Sequence, residues 1–353
     1  MANAVQEKRH PGIFDDVKTR SGVLKEIQGN PVTHDAFLRL DEEFQERFVE
    51  FCMGVRGVKM TCDPFFKKFF NAEIYPERLS RFLSEILGHP LEVKRMLPNE
   101  RQRITDMGSL MILDVLVEFA TGELADVEIQ KIGYRFPGQR ASCYSSDMVM
   151  RQYERVKGIK GDRFTYRDMK KVYTIVIMEN STREFRKMSG QYIHRGKYEY
   201  DTGIEPEHLE RMCYIALDNF LDIMDNKRKG TQMSELEAWL YFIGSDKVEH
   251  IYKVIESYPW FADLYREINE FRYHPEEAVR MFSDALRIMD RNTVWYMIDE
   301  EKQKRQKAEE RAEGAEKRAE GAEQKLSEQQ QELDKKEQEI EKLQAIIDGL
   351  QKK

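Results

Sequence analysis

A carboxylate stands in the middle of each of two adjoining apolar runs, and that pairing constrains the chain more than any other feature of it. The first run, SLMILDVLVEFA, is apolar enough for a buried strand yet carries Asp114. The second, ADVEIQK, carries Glu128 and Gln130 two positions apart, so both share one face of a strand while Val127 and Ile129 take the other. Between them, Ala120-Thr121-Gly122 has the length of a three-residue hairpin loop, and its glycine suits the left-handed backbone with which such loops end. With Phe119 facing Glu123, counting outward sets Asp114 opposite Glu128, at a β-carbon spacing of about 4.5–5.5 Å. Like charges so placed destabilise a sheet unless a cation lies between them, and hard oxygen ligands suit Mg²⁺ or Mn²⁺. A hydrogen-bonded structural pair in a half-exposed hairpin is the alternative. Gln130 alone reads equally as an ordinary polar residue on a wet face, and the carbonyl of Ile129 offers one more oxygen.

The flanking segments supply the rest of an α/β pattern. THDAFLRLDEEFQERFVEFCMG reads as one amphipathic helix, capped by Thr33 or Asp35, striped by Phe37, Leu40, Phe44, Phe48 and Phe51, and stopped by Gly54. DPFFKKFF and PERLSRFLSEILG form a helix pair ended by Gly88, with Asp63 a plausible cap of the first. Strands come next at about Leu91–Met96, Leu110–Phe119, Leu124–Lys131 and Val172–Met178, with a long helix at Pro137–Lys157 before the last. From about Glu205 to Asn292 the signals are helical, including MCYIALDNFLDIM, and Trp239, Tyr241 and Phe242 read as core. After Ile298 a heptad repeat runs from Ala308 to Leu350, alanine-rich, then polar, and apolar only at its end, with Gly314 and Gly321 inside it. It reads as a conditional coiled coil able to pair two copies, or as a solvated single helix. The segments divide as 1–57, an N-terminal helical part; 58–200, the α/β part; 201–292, a helical part; and 293–353, the long helix.

Composition narrows the class. The 353 residues carry 57 Lys plus Arg against 64 Asp plus Glu, a net charge of −7. No run approaches the roughly 20 apolar residues of a membrane span, and MANAVQEKRH lacks the apolar stretch of a secretion signal, so a cytoplasmic protein without membrane association is expected. Cys52, Cys62, Cys143 and Cys213 stand far apart, without the spacing of a zinc site or a disulfide framework. Residues 131–200 hold 16 Lys or Arg against seven Asp or Glu. Such a block either invites a polyanion or answers acidic neighbours.

The order Asp114, then Glu128-Ile129-Gln130, resembles the PD-(D/E)XK nuclease core, and within it the Rpn-type branch of recombination-promoting nucleases and transposases. The matching pieces are DPFFKKFF, LDV, VEIQ, then Arg140 with Tyr144, Gln152 and Gly158, and a closing Tyr166…KKVYTIVIME, over roughly residues 58–180. The resemblance implies a central mixed four-stranded sheet flanked by helices, with the C-terminal helical region and coiled coil as additions. It implies a Mg²⁺- or Mn²⁺-dependent DNA endonuclease in which Asp114 and Glu128 hold the metal, joined by Ile129 and Asp63. Gln130 then takes the place of the superfamily's Lys, as in the Rpn-type branch. Arg140, Tyr144, Arg151 and Gln152 share a helix face that either approaches a phosphodiester or packs on the sheet, and Arg155 and Lys157 extend it toward backbone phosphates. A nuclease fold without activity, binding nucleic acid and assembling partners through its coiled coil, is the competing expectation.

Overall fold

Helix starts and stops are set by short polar side chains and left-handed glycines. The computed structural model describes residues 13–14, 16–98, 115–132, 137–227 and 231–284, all within the compact unit Met1–Asp290. The heptad segment, assigned to a separate unit Arg291–Lys353, lies outside the described residues. Helix α1 (Arg20–Gly29) is followed by α2 (Pro31–Leu38), whose cap is Asn30 rather than Thr33 or Asp35. The Asn30 Oδ1 accepts from the amides of Val32 at 3.0 Å and Thr33 at 3.2 Å. The single helix expected through to Gly54 is two, because Asp41 accepts from the Phe44 amide at 2.8 Å and so starts α3 (Glu42–Met53) afresh. Gly54 ends α3 with φ 80°, as its position implies. Helix α4 (Asp63–Phe69) has Cys62, not Asp63, at its cap position, and α5 (Pro76–Leu87) ends on Gly88 at φ 77°.

One mixed sheet organises the remainder of the unit. Strands β1 (Val93–Met96), β2 (Val115–Phe119), β3 (Leu124–Ile132), β4 (Val172–Asn180), β5 (Ile193–Arg195) and β6 (Glu210–Ala216) lie in the order β1-β2-β3-β4-β6-β5. β1, β2 and β3 form an antiparallel meander, β4 and β6 add in parallel, and β5 closes the edge antiparallel to β6. Among the described residues the sheet therefore has six strands where four were expected. Of the two added strands, β5 is a three-residue segment, and β6 comes from residues whose apolar spacing fits two periods: MCYIA continues β6, and the helical half of that run is α8 (Leu217–Asp225). The open edge of β4 decides between them, since an unpaired buried edge leaves backbone donors and acceptors without partners. Because β6 pairs with β4, the sheet crosses the 200/201 boundary drawn from sequence.

Two unequal layers cover the sheet. On one face Val115, Val117, Phe119, Val127, Ile175, Ile177 and Ile215 join the main core, built with the N-terminal helices, α8, α9 (Glu235–Gly244), α10 (Val248–Ser257) and α11 (Phe261–Glu270). Trp239, Tyr241 and Phe242 are buried there as the aromatic stripe suggests, and Trp239 ties α9 to α4 and α5 through Phe70 and Phe82, with ring centroids 5.8 and 5.7 Å away. On the other face the long helix α6 (Pro137–Lys160) packs Ala141, Tyr144 and Met148 on Leu116, Leu124, Val172, Val176 and Met178, and Phe185 of the short helix α7 (Arg183–Arg186) joins that cluster.

Gly54 and Gly88 offer a controlled test of this packing, since both have positive φ. A β-carbon at Gly54 would overlap the buried Arg272 guanidinium, whereas nothing lies within 4 Å of one at Gly88. Both alanine variants are expected to lose stability through backbone strain, by more than about 1 kcal/mol at Gly54. Urea denaturation should show the larger midpoint shift for Gly54→Ala.

Candidate functional site

The hairpin that positions the acidic residues has the register its loop length implies. The Gly122 amide donates to Phe119 at 2.9 Å, the Phe119 amide donates to Glu123 at 2.9 Å, and Gly122 sits at φ 87°. Val115 then pairs with Val127, Leu116 with Asp126, Val117 with Ala125 and Glu118 with Leu124. Asp114 lies outside the described residues, which begin this strand one position later, and so do the side chains of Asp63 and Lys131. On the parallel side Glu128 pairs with Val176 and Gln130 with Met178.

Alternation along β3 gathers a polar row on the face beneath α6. Asp126, Glu128 and Gln130 are 0 %, 3 % and 4 % exposed, while Ala125, Val127 and Ile129 face the main core. Asp126 is not among the residues expected at the site, although the two-residue period of ADVEIQK puts it on the same face. The Asp114–Glu128 match accounts for one acidic position of this strand, and Asp126 is a second. Burying carboxylates in a central strand costs several kcal/mol unless partners or a cation compensate. The Oε1 of Gln130 is buried with no hydrogen-bond partner among the described residues. A buried, unpartnered amide oxygen beside a buried carboxylate is a set of hard oxygen donors, which is the chemistry Mg²⁺ or Mn²⁺ requires. Among the described residues no three His, Cys, Asp or Glu side chains converge as a metal site.

Helix α6 brings some expected residues to this row and holds others away. Ala141 packs on Val176 and Met178, the partners of Glu128 and Gln130, so the N-terminal end of the helix stands at the polar row. There the Arg140 Nε donates to the Tyr144 hydroxyl at 2.6 Å; Arg140 is exposed, and the Tyr144 ring is buried against Leu116, Leu124 and Met148. Gln152 lies at the opposite end. Its amide donates to the Gly122 carbonyl at 3.3 Å and its Oε1 accepts from the Lys170 amide at 2.6 Å, so it clamps the hairpin turn. Gly122 and Glu128 are six positions apart, a span of about 20 Å in extended chain. Arg151 is engaged with Asp147 at 2.6 Å and the Pro98 carbonyl at 2.8 Å, and Lys157 donates to the Tyr153 hydroxyl at 2.8 Å. The structure does not bring these three beside Glu128.

Arg155 meets a different carboxylate. It contacts Glu118 at 2.5 Å, and Arg95 donates to the same group at 2.8 Å. Burial pushes the Glu118 carboxyl upward, but the hydrogen bonds from Arg155 and Arg95 and their charges outweigh it and hold the group below its ordinary value of 4.5. Glu118 is thus a structural anchor between β1, β2 and α6. A depressed folded-state pKa stabilises the protein above the unfolded value and loses that contribution as pH falls through the folded one. Glu118→Gln should accordingly cost about 1.5–3 kcal/mol at neutral pH. In denaturation series from pH 7 downward, the gap to the unmodified protein should narrow below about pH 4.5.

All four cysteines are free, and no helix among the described residues is long and apolar enough to cross a membrane. No curated protein and no solved structure matches the chain. A family model described as PD-(D/E)XK nuclease family transposase matches residues 60–298, a span that opens just before α4 and takes in every strand of the sheet. Within that span the helix, the antiparallel meander, the crossover helix α6 and the parallel strand β4 come in the order the resemblance implies, and on this match the chain belongs to the PD-(D/E)XK nuclease family transposases.

Proposed function

We propose that the protein is a divalent-metal-dependent DNA endonuclease of the recombination-promoting type, acting at the polar row of β3. The observation that carries this reading is the burial of Glu128 and Gln130 side by side on one face of a central strand, next to a hairpin whose next position outward is Asp114. In this reading Asp114 and Glu128 hold the metal, Ile129 lends its carbonyl, and Asp63, at the first position of α4, adds a fourth oxygen. Bound Mg²⁺ or Mn²⁺ supplies neutralising charge for the phosphate and lowers the pKa of a coordinated water. Gln130 accepts a hydrogen bond through its Oε1 and orients the attacking water without contributing charge. Arg140, hydrogen-bonded to Tyr144 at the same end of α6, supplies positive charge in this reading. Asp126 deepens the negative potential of the face and favours cation entry. The cations of residues 131–200 attract backbone phosphates without reading sequence.

Purified protein with Mg²⁺ or Mn²⁺ should nick supercoiled plasmid, EDTA should stop it, and Asp114→Asn or Glu128→Gln should each lower the rate at least about 100-fold. Nicking that survives both substitutions refutes the assignment. A protein that binds DNA but never nicks it is the inactive, scaffolding form of the fold.

We also propose that the heptads from Ala308 to Leu350 pair two copies of the chain, which would bring two cutting sites to one DNA. Light scattering at micromolar concentration is expected to give twice the chain mass, and a monomer mass there rejects the pairing.

A further inference from the structure

An exposed aromatic cluster stands at the C-terminal end of α6, remote from the polar row. Tyr166 is 79 % exposed and Ile159 77 % exposed, neither contributing to the core. The Tyr166 ring stacks on Tyr153 with centroids 6.4 Å apart and planes 16° from parallel. Phe164 stands edge-on to both, at 5.3 Å from Tyr153 and 5.5 Å from Tyr166. The turn that carries Tyr166 is fixed from both sides: the Thr165 amide donates to Asp168 at 2.8 Å, the Asp168 amide donates to the Thr165 carbonyl at 2.9 Å, and Lys160 pairs with Asp168. Tyr166 thus rests on Tyr153 and Phe164 while most of its ring stays open to solvent and available to a partner.

The surrounding charge identifies that partner. Residues 151–171 carry eight Lys or Arg against three Asp or Glu. Arg155, Lys157 and Lys160 are engaged internally, but Arg163, Arg167 and Lys170 are exposed and make no ion pair with described residues. Unpaired cations beside an open ring face match a polymer that alternates phosphates with planar bases. In a duplex the base faces are covered by their neighbours, so only an unpaired strand can reward the ring as well as the cations.

We propose that Tyr166, backed by Tyr153 and Phe164 and flanked by Arg163 and Arg167, is a stacking platform for unpaired bases, so that the substrate class is DNA with a single-stranded segment. This deepens the nuclease reading and rests on it for its biological meaning. Along α6 the platform lies about 18 Å from the end that meets Glu128 and Gln130. A strand stacked there would be gripped well away from the scissile phosphate, as a positioning contact.

The test uses the full chain in EDTA, where binding is measured without cleavage, with a fluorescent single-stranded oligodeoxynucleotide and a duplex of the same length. Tyr166→Ala should weaken single-strand binding about tenfold and leave duplex binding nearly unchanged, and Tyr166→Phe should keep both affinities. Arg163→Ala with Arg167→Ala should weaken both ligands and flatten the salt dependence. An unchanged single-strand affinity in Tyr166→Ala overturns the proposal, as does a protein that binds neither oligonucleotide. Tyr166-dependent binding to anionic phospholipid vesicles without oligonucleotide affinity also overturns it and assigns the patch to a membrane surface. Thermal melting of the exposed-site variants should match the unmodified chain. Glu128→Gln, which should retain oligonucleotide affinity while losing nicking, reads the catalytic assignment separately, so either idea can fail alone.

Discussion

The fold is organised around a polar row that has to be buried. β3 lies between β2 and β4 with both faces covered, yet one face presents Asp126, Glu128 and Gln130. A central strand with this composition is stable only in one register: a slip of a single residue would turn those side chains into the aromatic core and put Val127 and Ile129 beneath α6. The Gly122 turn sets that register, and Gln152 holds the turn by bonding it to the lead-in of β4. Gln152, read from sequence as either a phosphate contact or a residue packing on the sheet, thus holds the hairpin turn.

α6 has a different task at each end. Its first turns hold Arg140 in a hydrogen bond to Tyr144, its middle supplies Met148 to the small core beneath it, and its last turns carry Tyr153, on which Tyr166 of the following turn stacks. Glu118 links this helix to the meander, since Arg155 from α6 and Arg95 from β1 meet on the same carboxylate. That shared carboxylate ties the C-terminal half of α6 to both β1 and β2.

Much of this was legible in the residues, and the failures have definite causes. Hairpin register, the faces of β3, the extent of α6 and the burial of Trp239 all derive from two- or 3.6-residue periods and a glycine turn, which are local properties. β6 was hidden because MCYIALDNFLDIM fits both periods, and only the waiting edge of β4 selects the strand. The break between α2 and α3 was hidden because Asp41 interrupts a continuous apolar stripe without disturbing it. The charge block was visible as a sum, but the sum does not say which cations are occupied. Arg151, Arg155 and Lys157 are engaged by neighbours, while Arg163 and Arg167 make no ion pair with described residues, and that distinction exists only in three dimensions.

The two margins of the sheet are short and cationic. β1 has four residues, with Lys94 exposed and Arg95 bonded to Glu118, and β5 has three, ending in exposed Arg195. Brief edges bearing like charge repel a second sheet brought alongside and offer it too few backbone groups to zip onto. A six-stranded sheet that would otherwise invite fibre-like growth is thereby kept from extending into another molecule.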